Sequence, residues 1–500
     1  MTRLFGIETE YGIIREDVET SDPVVESMEL VRRHHRPFRA DWDYGGEDPK
    51  QDARGFRAKM LQQEEEELEF EEKDRHRPFS FHEMKSDLML ANGARFYNDH
   101  THPEYSTPEC GTLLSLIAHD RAGERILLDC ARKRSRMLGV PGAVQLYKNN
   151  TDFHGHSYGC HDNYLVPRHV PFADLATSLV PFLVTRQIFA GAGKVGVENC
   201  DGYKQEGFQL SQRADFIEVE TSIDTMHARP ILNTRDEPHA DQAHYRRLHL
   251  IIGDANMSEF ATALKVGTTA LVLELIARGL APKAAELSEP VAAVRTLSHA
   301  IDLKHLLRLS GGRRMFAVDH QRLYLDAAKN TFASADGETR WILENWETTL
   351  DALESDPMRL ADRLDWVAKK WLLETFIEAE GTDWRDTRLL GLDLEYHNID
   401  PERGLFLGLE MEGAVHRFVS DEAVRTAMET PPSETRAGVR GMIVSKFLKE
   451  IYKIQWERIV FKGGMTKRVY AMDRLFEPRA VRQEIERIRQ CRTVDELIGV

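Results

Sequence analysis

The order of strand-like and helical segments limits the fold of this chain more than any other feature. Residues 4–14 and 247–253 have the character of strands, whereas residues 114–134 and 258–278 carry apolar side chains at helical spacing. Extended segments are also predicted at residues 92–98, 144–150 and 157–166. Long helical insertions separate these strands, and no regular β-α-β repeat joins them. This arrangement indicates an α+β fold.

The first predicted strand has an acidic face. Glu8 and Glu10 project from one side of it, while Phe5, Ile7 and Tyr11 project from the other. Two carboxylates placed in this way can share one hard cation or bind two, and Mg²⁺ prefers such oxygen ligands. A solvent-exposed strand face would explain the same pattern. This segment alone leaves both interpretations open.

A second polar strand follows near residue 95. Arg95, Tyr97 and Asp99 fall on one face, so a cation, a phenol and a carboxylate point the same way. Residues 102–109 then add an imidazole, two carboxylates and hydroxyls in a segment that two prolines keep extended. So dense a set of polar groups predicts a ligand site. The alternative is a polar surface loop.

Histidines and arginines form two further groups. His161 and Asn163 share one face of a predicted strand. Arg229 and Arg235 precede the strand that carries His249. The two arginines are suited to hold a phosphate or a carboxylate through paired hydrogen bonds.

One short motif suggests a different chemistry. Residues 155–159 fit the G-x-S-x-G pattern of serine hydrolases, with Ser157 as the nucleophile. That pattern needs a strand, a sharp turn and then a helix. Residues 160–166 continue as a predicted strand and Pro167 follows, which disfavours the serine-hydrolase interpretation.

Residues 41–77 break every periodic pattern. The segment is acidic, contains glycines, and lacks enough apolar residues to build its own core. We interpret it as a long mobile insertion with a helical middle, near enough to the polar strands to gate a site there. A passive linker is the alternative.

The clearest late break is at Pro431 and Pro432. A helix is predicted from residue 434 to 454, and a terminal helix near residues 481–490. The predicted units are a catalytic domain over residues 1–430 and a small C-terminal domain over residues 431–500.

The composition excludes several classes of protein. A net charge of −16 argues against a general nucleic-acid-binding protein, because phosphate backbones attract clustered Lys and Arg. No apolar run approaches the roughly 20 residues that span a membrane. Glu8 and Glu10 stand where a signal peptide needs an unbroken apolar stretch, so we expect a cytoplasmic protein.

Six motifs, in order, resemble those of one known family. They are GIETEYGI (6–13), NGARFYND (92–99), HPEYSTPEC (102–110), KNNTD (148–152), SYGCHDNYL (157–165) and TRDEPHAD (234–241). Over nearly the whole chain they resemble the Pup ligase and Pup deamidase family. The resemblance implies a glutamine-synthetase-like fold, in which a curved antiparallel sheet with packed helices forms a cradle for ATP and Mg²⁺. It also implies a small C-terminal domain beside the cradle.

The resemblance further implies roles for individual residues. Asp99 becomes the catalytic carboxylate. Magnesium ligands are implied at Glu8, Tyr97 and Glu104, with Glu10 nearby. ATP contacts are implied at Arg95, Thr107 and Trp456, whose indole would stack on adenine. A second metal or a phosphate is implied at His161, Arg235 and His249.

The family has two branches. Its ligases join the C-terminal glutamate of Pup to a lysine, whereas its deamidases convert a C-terminal Pup glutamine to glutamate and cleave the Pup–lysine isopeptide bond. The deamidase branch carries a long insertion where residues 41–77 lie, and residues 98–105 (NDHTHPEY) also resemble that branch. We therefore expect an ATP- and Mg²⁺-dependent amidohydrolase whose partners are Pup and pupylated proteins. The alternatives are a Pup ligase, a glutamate-cysteine-ligase-like enzyme and, more remotely, the serine hydrolase.

Overall fold

The computed structural model describes residues 3–34, 41–63, 65–198, 207–225, 227–335, 337–463 and 468–499. Its strands are β1 (Phe5–Glu10), β2 (Gly12–Arg15), β3 (Asp41–Trp42), β4 (Leu88–Met89), β5 (Arg95–Asp99), β6 (His102–Ser106), β7 (Val144–Tyr147), β8 (Cys160–Pro167), β9 (Lys194–Val195), β10 (Phe208–Gln209), β11 (Val219–Ser222), β12 (Pro230–Asn233), β13 (Tyr245–Leu250), β14 (Leu307–Arg308), β15 (Arg314–Met315), β16 (Ile451–Ile454), β17 (Arg458–Phe461) and β18 (Arg468–Ala471).

Helices occupy most of the remaining described chain. They are α1 (Pro23–Arg32), α2 (Glu65–Arg75), α3 (Phe81–Lys85), α4 (Leu113–Leu138), α5 (Phe172–Ala190), α6 (Glu259–Ala277), α7 (Pro290–His299), α8 (Ala317–Thr331), α9 (Gly337–Ser355), α10 (Asp365–Glu380), α11 (Arg388–Tyr396), α12 (Leu405–Met411), α13 (Asp421–Glu429), α14 (Arg436–Phe447), α15 (Pro478–Gln490) and α16 (Val494–Ile498).

A six-stranded antiparallel sheet organises the fold, in the order β13-β8-β1-β6-β5-β4. Its strands alternate buried and partly exposed side chains, so one face is apolar and the other polar. Helices α4, α5 and α6 supply the apolar cluster against which residues such as Phe5, Ile7 and Tyr164 pack. Burial of each large apolar side chain stabilises the fold by about 1.5 to 3 kcal/mol.

Helix α6 corrects the expectation that no apolar run approaches a membrane span. It has 19 residues and a mean hydropathy of 1.6, which is enough by length and composition alone. However, 94% of this stretch is buried inside the protein. Its N-terminus is capped by Ser258, whose hydroxyl accepts the backbone N–H of Ala261, and it lies in the core beside α4 and α5. We therefore interpret it as a core helix.

The predicted first strand over residues 4–14 is two strands. β1 pairs with β6 and β8, whereas β2 leaves the central sheet and pairs with β7. The chain changes sheets at Tyr11 and Gly12. A Cβ atom on Gly12 would lie 2.7 Å from the hydroxyl of Tyr158, so this crossing requires a glycine.

The C-terminal segment has its own apolar cluster. β16, β17 and β18 form a sheet with β3, in the order β18-β17-β16-β3, and α14 and α15 pack on it. The predicted helix over residues 434–454 is confirmed as far as Phe447, where α14 ends, and is wrong beyond it, because a short 3-10 turn and then strand β16 follow. Ile451 and Ile454 are β-branched and bury their side chains in the cluster, which favours a strand. The domain boundary between residues 430 and 431 stays a prediction.

The acidic insertion is anchored where it begins. β3 pairs in parallel with β16, and the Trp42 side chain is only 2% exposed within the C-terminal cluster. Asp43 forms an ion pair with Arg458 (2.7 Å). The expectation of unpatterned chain from residue 41 is therefore wrong at this point, because the C-terminal strands supply the core that Trp42 needs.

The predicted helical middle of the insertion is confirmed as α2, although residue 64 and the side chains of residues 65–67 lie outside the described part. Mobility of the insertion stays a prediction.

Candidate active site

One face of the central sheet collects most of the polar residues selected from the sequence. β1 lies between β6 and β8, with Glu10 opposite Glu104 and Glu8 opposite His161. Because side chains alternate along each strand, these residues share one side of the sheet. The polar side chains of this face are Glu8, Glu10, Arg95, Tyr97, Asp99, His102, Glu104, Ser106, His161, Asn163, Arg247 and His249. We call this face the cradle.

Three carboxylates meet where β1, β5 and β6 lie side by side. One oxygen atom each of Glu10, Asp99 and Glu104 lies within 4.8 Å of the others, and we call these residues the carboxylate group. Burial, together with the charges of Asp99, Glu8 and Glu10, raises the pKa of Glu104 well above its ordinary value. Tyr97 lies directly opposite Glu104 in the strand register. Repulsion among oxygen ligands is relieved by a hard divalent cation such as Mg²⁺.

A mixed group lies beside the first. Glu8, His161 and His249 place one ligand atom each within 4.8 Å of one another, and we call them the imidazole group. The Glu8 carboxylate also accepts hydrogen bonds from Asn163 Nδ2 (3.1 Å) and Arg247 Nη1 (3.2 Å). Burial lowers the pKa of His249 well below its ordinary value, and its Nδ1 lies 2.9 Å from Asn163 Oδ1. Nδ1 is thus assigned as the protonated nitrogen, and Nε2 can accept a cation.

Asp99, the predicted catalytic residue, is paired with two cationic groups. Lys85 Nζ lies 2.6 Å from Asp99 Oδ1, and His100 Nδ1 lies 3.3 Å from the same oxygen. Burial opposes ionisation, but the charges of Lys85 and His100 hold the pKa of Asp99 well below its ordinary value. The carboxylate is therefore charged at neutral pH, as both a general base and a nucleophile must be.

Arg95 connects the cradle to the C-terminal segment through aromatic rings. Its guanidinium carbon lies 3.9 Å from the ring centre of Trp42 and 3.8 Å from that of Tyr97. Asp87 accepts a hydrogen bond of 2.6 Å from Arg95 Nη2. Trp456 meets Trp42 edge to face, with ring centres 5.6 Å apart. Arg95 and Trp456, both predicted to contact ATP, therefore pack against one indole.

Thr107 lies apart from these aromatic rings. Its hydroxyl accepts the backbone N–H of Ile7 at 3.0 Å, and its side chain is buried beside β1. A hydroxyl that accepts one bond keeps its own proton for a second partner. The predicted contact of Thr107 with ATP stays a prediction.

Two buried guanidinium groups at the cradle have nitrogens without a hydrogen-bond partner among the described residues. They are Nε and Nη1 of Arg213 and Nε of Arg235. Burial lowers the pKa of Arg213 to about 10, with the charge of Glu10 acting in the opposite direction. Burial also lowers the pKa of Arg235. The charge of Arg247 lowers it further, whereas the charge of Asp99 acts in the opposite direction. Buried donors without partners are costly, and an anionic ligand would satisfy them.

Sequence reasoning missed several of these side chains. Lys85 lies 14 residues before Asp99 on a separate helix, and no motif marks it. Arg213 lies in no recognisable pattern either. By contrast, Arg247 alternates with His249 along β13, so strand periodicity could have identified it as a partner of the same face.

Ser157 lacks the surroundings of a hydrolytic nucleophile. The G-x-S-x-G motif is followed by strand β8, as the sequence predicts, and not by the helix that the motif requires. The neighbouring His156 directs its Nδ1 at Asp152, 2.6 Å away. The structure therefore does not favour the serine-hydrolase interpretation.

Known proteins align with this chain along most of its length. Residues 3–460 match the sequence profile of the Pup-ligase protein family. A depupylase of Acidothermus cellulolyticus is 44% identical and covers 100% of this chain and 99% of its own length. A Pup deamidase/depupylase of Mycolicibacterium smegmatis is 41% identical and covers 93% of this chain and 92% of its own. A Pup–protein ligase of Arthrobacter sp. is 44% identical over 74% of this chain and 83% of its own length.

Two solved structures share the fold. The Pup ligase PafA in complex with Pup has a TM-score of 0.78 at 33% identity, covering 98% of this chain and 91% of that one. PafA in complex with ADP has a TM-score of 0.74 at 35% identity, covering 87% and 96%. The expected α+β fold, with a glutamine-synthetase-like antiparallel sheet and packed helices, is confirmed. With these matches running over nearly its entire length, the chain belongs to the Pup-ligase protein family.

Proposed function

We propose that this protein is a Pup deamidase and depupylase that depends on ATP and Mg²⁺. The reaction is hydrolysis of the side-chain amide of the last Pup residue, either a free glutamine amide or an isopeptide bond to a lysine of a target protein. The observation that carries the proposal is the extent of alignment. In sequence, relatives named depupylase align with 93% to 100% of the chain, whereas the sequence of a ligase aligns with 74% of it, although the fold of a ligase covers 98%.

Asp99 performs the chemistry in this proposal, in one of two ways. As a general base it takes a proton from water, whose oxygen attacks the amide carbon while the amine departs with a proton. As a nucleophile it attacks the amide carbon itself and forms an anhydride while the amine departs with a proton taken from solvent, and water then opens the anhydride to two carboxylates. A single turnover in ¹⁸O-labelled water tests the nucleophilic role, because label enters the Asp99 side chain only if an anhydride forms and water opens it at the Asp99 carbonyl.

The proposed magnesium ligands are Glu8, Glu10, Tyr97 and Glu104. The carboxylate group offers oxygen ligands, and the raised pKa of Glu104 reflects repulsion that a bound cation would remove. Bound Mg²⁺ would neutralise phosphate charge and polarise the substrate carbonyl. His161 and His249, with Arg235, are proposed to hold a second metal or a phosphate.

Buried cations and an aromatic platform support the proposed ATP site. Arg95, Arg213 and Arg235 lie at the cradle, and the last two have unsatisfied donors suited to phosphate oxygens. Trp456 is proposed to stack on adenine, and Thr107 to donate its hydroxyl proton. A solved relative at 35% identity binds ADP, which supports a nucleotide in the same fold.

The proposed partners are Pup and pupylated proteins, and the proposed place of action is the cytoplasm. One related structure contains Pup bound to its ligase, which supports the first proposal. The second is supported by four free, buried cysteines among the described residues, as is usual in a reducing compartment. The net charge of −16 argues against nucleic acid as a partner.

A Pup ligase is the second candidate, because a ligase relative shares as much sequence identity with the chain as a depupylase does. The deciding experiment incubates the protein with ATP, Mg²⁺ and Pup that ends in glutamine, and follows the Pup mass. Deamidation replaces the amide nitrogen by oxygen and raises the mass. A ligase would leave this substrate unchanged and would instead join glutamate-ended Pup to a lysine. Chelation of Mg²⁺ is the matched control and should abolish the mass change.

A further inference from the structure

Asp99 has a cationic partner that the proposed reaction does not use, the ammonium group of Lys85. The two charged atoms are 2.6 Å apart, and the side chains of Lys85 and Asp99 are 15% and 26% exposed. The ammonium nitrogen also lies 5.7 Å from the ring centre of Tyr97. This lysine therefore reaches into the cradle from its edge and contacts the oxygen that carries the chemistry.

The helix that carries Lys85 is fixed from two sides. α3 begins with a capping box in which Ser80 and Glu83 exchange hydrogen bonds. Asn98, beside Asp99 on β5, donates its Nδ2–H to the carbonyl of Met84 at 3.0 Å. From the other side, Arg32 of α1 donates to the carbonyl of Glu83 at 3.1 Å. These contacts fix the position of α3, and so the backbone from which the Lys85 side chain reaches Asp99.

The Lys85 ammonium lies close to where the leaving nitrogen of the substrate must be during amide cleavage. The nitrogen that leaves is bonded to the carbon under attack, so it must lie within a few ångströms of the attacking centre at Asp99. In a glutamine amide that nitrogen carries only hydrogens. In an isopeptide it carries the four-carbon chain of a target lysine, which is the same chemical group as Lys85.

We infer that Lys85 is a specificity-determining residue that occupies, beside Asp99, the space that the target-lysine chain of an isopeptide substrate needs, so that it withdraws for an isopeptide substrate but not for a free amide. This inference rests on the proposed function. Withdrawal breaks a partly buried ion pair, and such pairs correspond to about three- to tenfold in an equilibrium constant. Lys85 thus lowers the rate of isopeptide cleavage relative to deamidation by this factor.

The test compares two substrates on the same enzyme. Values of kcat/KM are measured for deamidation of glutamine-ended Pup and for cleavage of a Pup–lysine conjugate, in the parent, Lys85→Ala and Lys85→Arg. Lys85→Ala should raise the ratio of isopeptide cleavage to deamidation about three- to tenfold, whereas the bulkier Lys85→Arg should lower it. Lys59→Ala removes an exposed lysine of the insertion at residues 41–77, away from Asp99, and is the matched control, with an unchanged ratio. Equilibrium binding of the conjugate, with ATP present and Mg²⁺ chelated, should tighten in Lys85→Ala by a similar factor.

An equal fall of both activities in Lys85→Ala, with no change in conjugate binding, would show that Lys85 only orients Asp99 and would overturn the inference. If Lys85→Ala fails to fold, Lys85→Arg decides, because an unchanged ratio in that variant also overturns it. A parent protein without either activity would instead refute the proposed function.

Discussion

The carboxylate group and the imidazole group lie side by side on one sheet face but accommodate buried charge differently. Burial and neighbouring carboxylates raise the pKa of Glu104 in the first group. In the second, burial opposes ionisation of Glu8, yet His249, His161 and Arg247 lower its pKa. The protein itself therefore neutralises Glu8 through the guanidinium of Arg247, whereas Glu104 has no cationic partner among the described residues. We expect Mg²⁺ binding to depend chiefly on the carboxylate group.

The largest effect is expected at Asp99, the member of the carboxylate group that we propose as the catalytic residue. Asp99→Asn keeps the shape of the side chain but removes the charge, so deamidation should fall about 10³-fold. ATP affinity, measured by equilibrium titration, should stay within about twofold. Turnover close to that of the parent would remove Asp99 from its catalytic role, and a thermal melt of the variant serves as the folding control.

Glu109 offers a carboxylate that the protein neutralises completely. Arg440 Nη2 and Arg436 Nε lie 2.5 and 2.7 Å from its oxygens and connect it to α14. Burial opposes ionisation, but the two arginines lower the pKa of Glu109 to about 2. Because the folded-state pKa is depressed, this stabilisation is present above the unfolded value near 4.5 and is lost as pH falls towards 2.

Glu109→Gln should therefore lower the free energy of unfolding at pH 7 by about 3 to 5 kcal/mol, since it leaves buried guanidinium groups without a counter-charge. Chemical unfolding at several pH values measures this effect. The variant should also lose less stability than the parent between pH 4.5 and 2. Identical acid profiles for the two proteins would contradict the assignment.

Substitution of one member of each group tests the comparison directly. Glu104→Gln removes an oxygen charge from the carboxylate group and should raise the Mg²⁺ concentration for half-maximal activity about tenfold. Glu8→Gln should raise it less, because the guanidinium of Arg247 already balances the Glu8 carboxylate. A larger shift for Glu8→Gln would reverse the roles that we assign to the two groups.

A smaller effect is expected outside both groups, at Trp456. Trp456→Ala removes the proposed stacking surface and should raise the apparent ATP constant about tenfold without altering Mg²⁺ dependence. Trp371→Ala removes an exposed tryptophan of α10 and is the matched control. An unaltered ATP constant in Trp456→Ala would place adenine elsewhere.

Strand periodicity predicted the cradle because it depends only on neighbouring residues. The alternation of Glu8 with Ile7, and of Arg95 with Phe96, set which side chains face the ligand site. The structural features that the sequence did not predict depend on contacts between residues that are far apart in the chain. The strand at Ile451 forms because β17 and β3 lie beside it.

The same limit explains why the partner of the proposed catalytic residue was missed. Lys85 and Asp99 meet because α3 packs on β5, through the bond from Asn98 to the carbonyl of Met84. No local pattern encodes this packing. The sequence therefore indicated the chemical groups of the site, whereas the residues that pair with them, such as Lys85, could be identified only from the tertiary structure.

The most direct test of the proposed function counts ATP consumed for each amide bond hydrolysed. The protein is incubated with ATP, Mg²⁺ and glutamine-ended Pup, and ADP and deamidated Pup are quantified in the same samples. If the cradle holds ATP as a bound cofactor while Asp99 directs hydrolysis, amide cleavage should continue with far less than one ADP formed for each Pup deamidated. One ADP for each Pup processed would instead identify ligase-type chemistry and contradict the account.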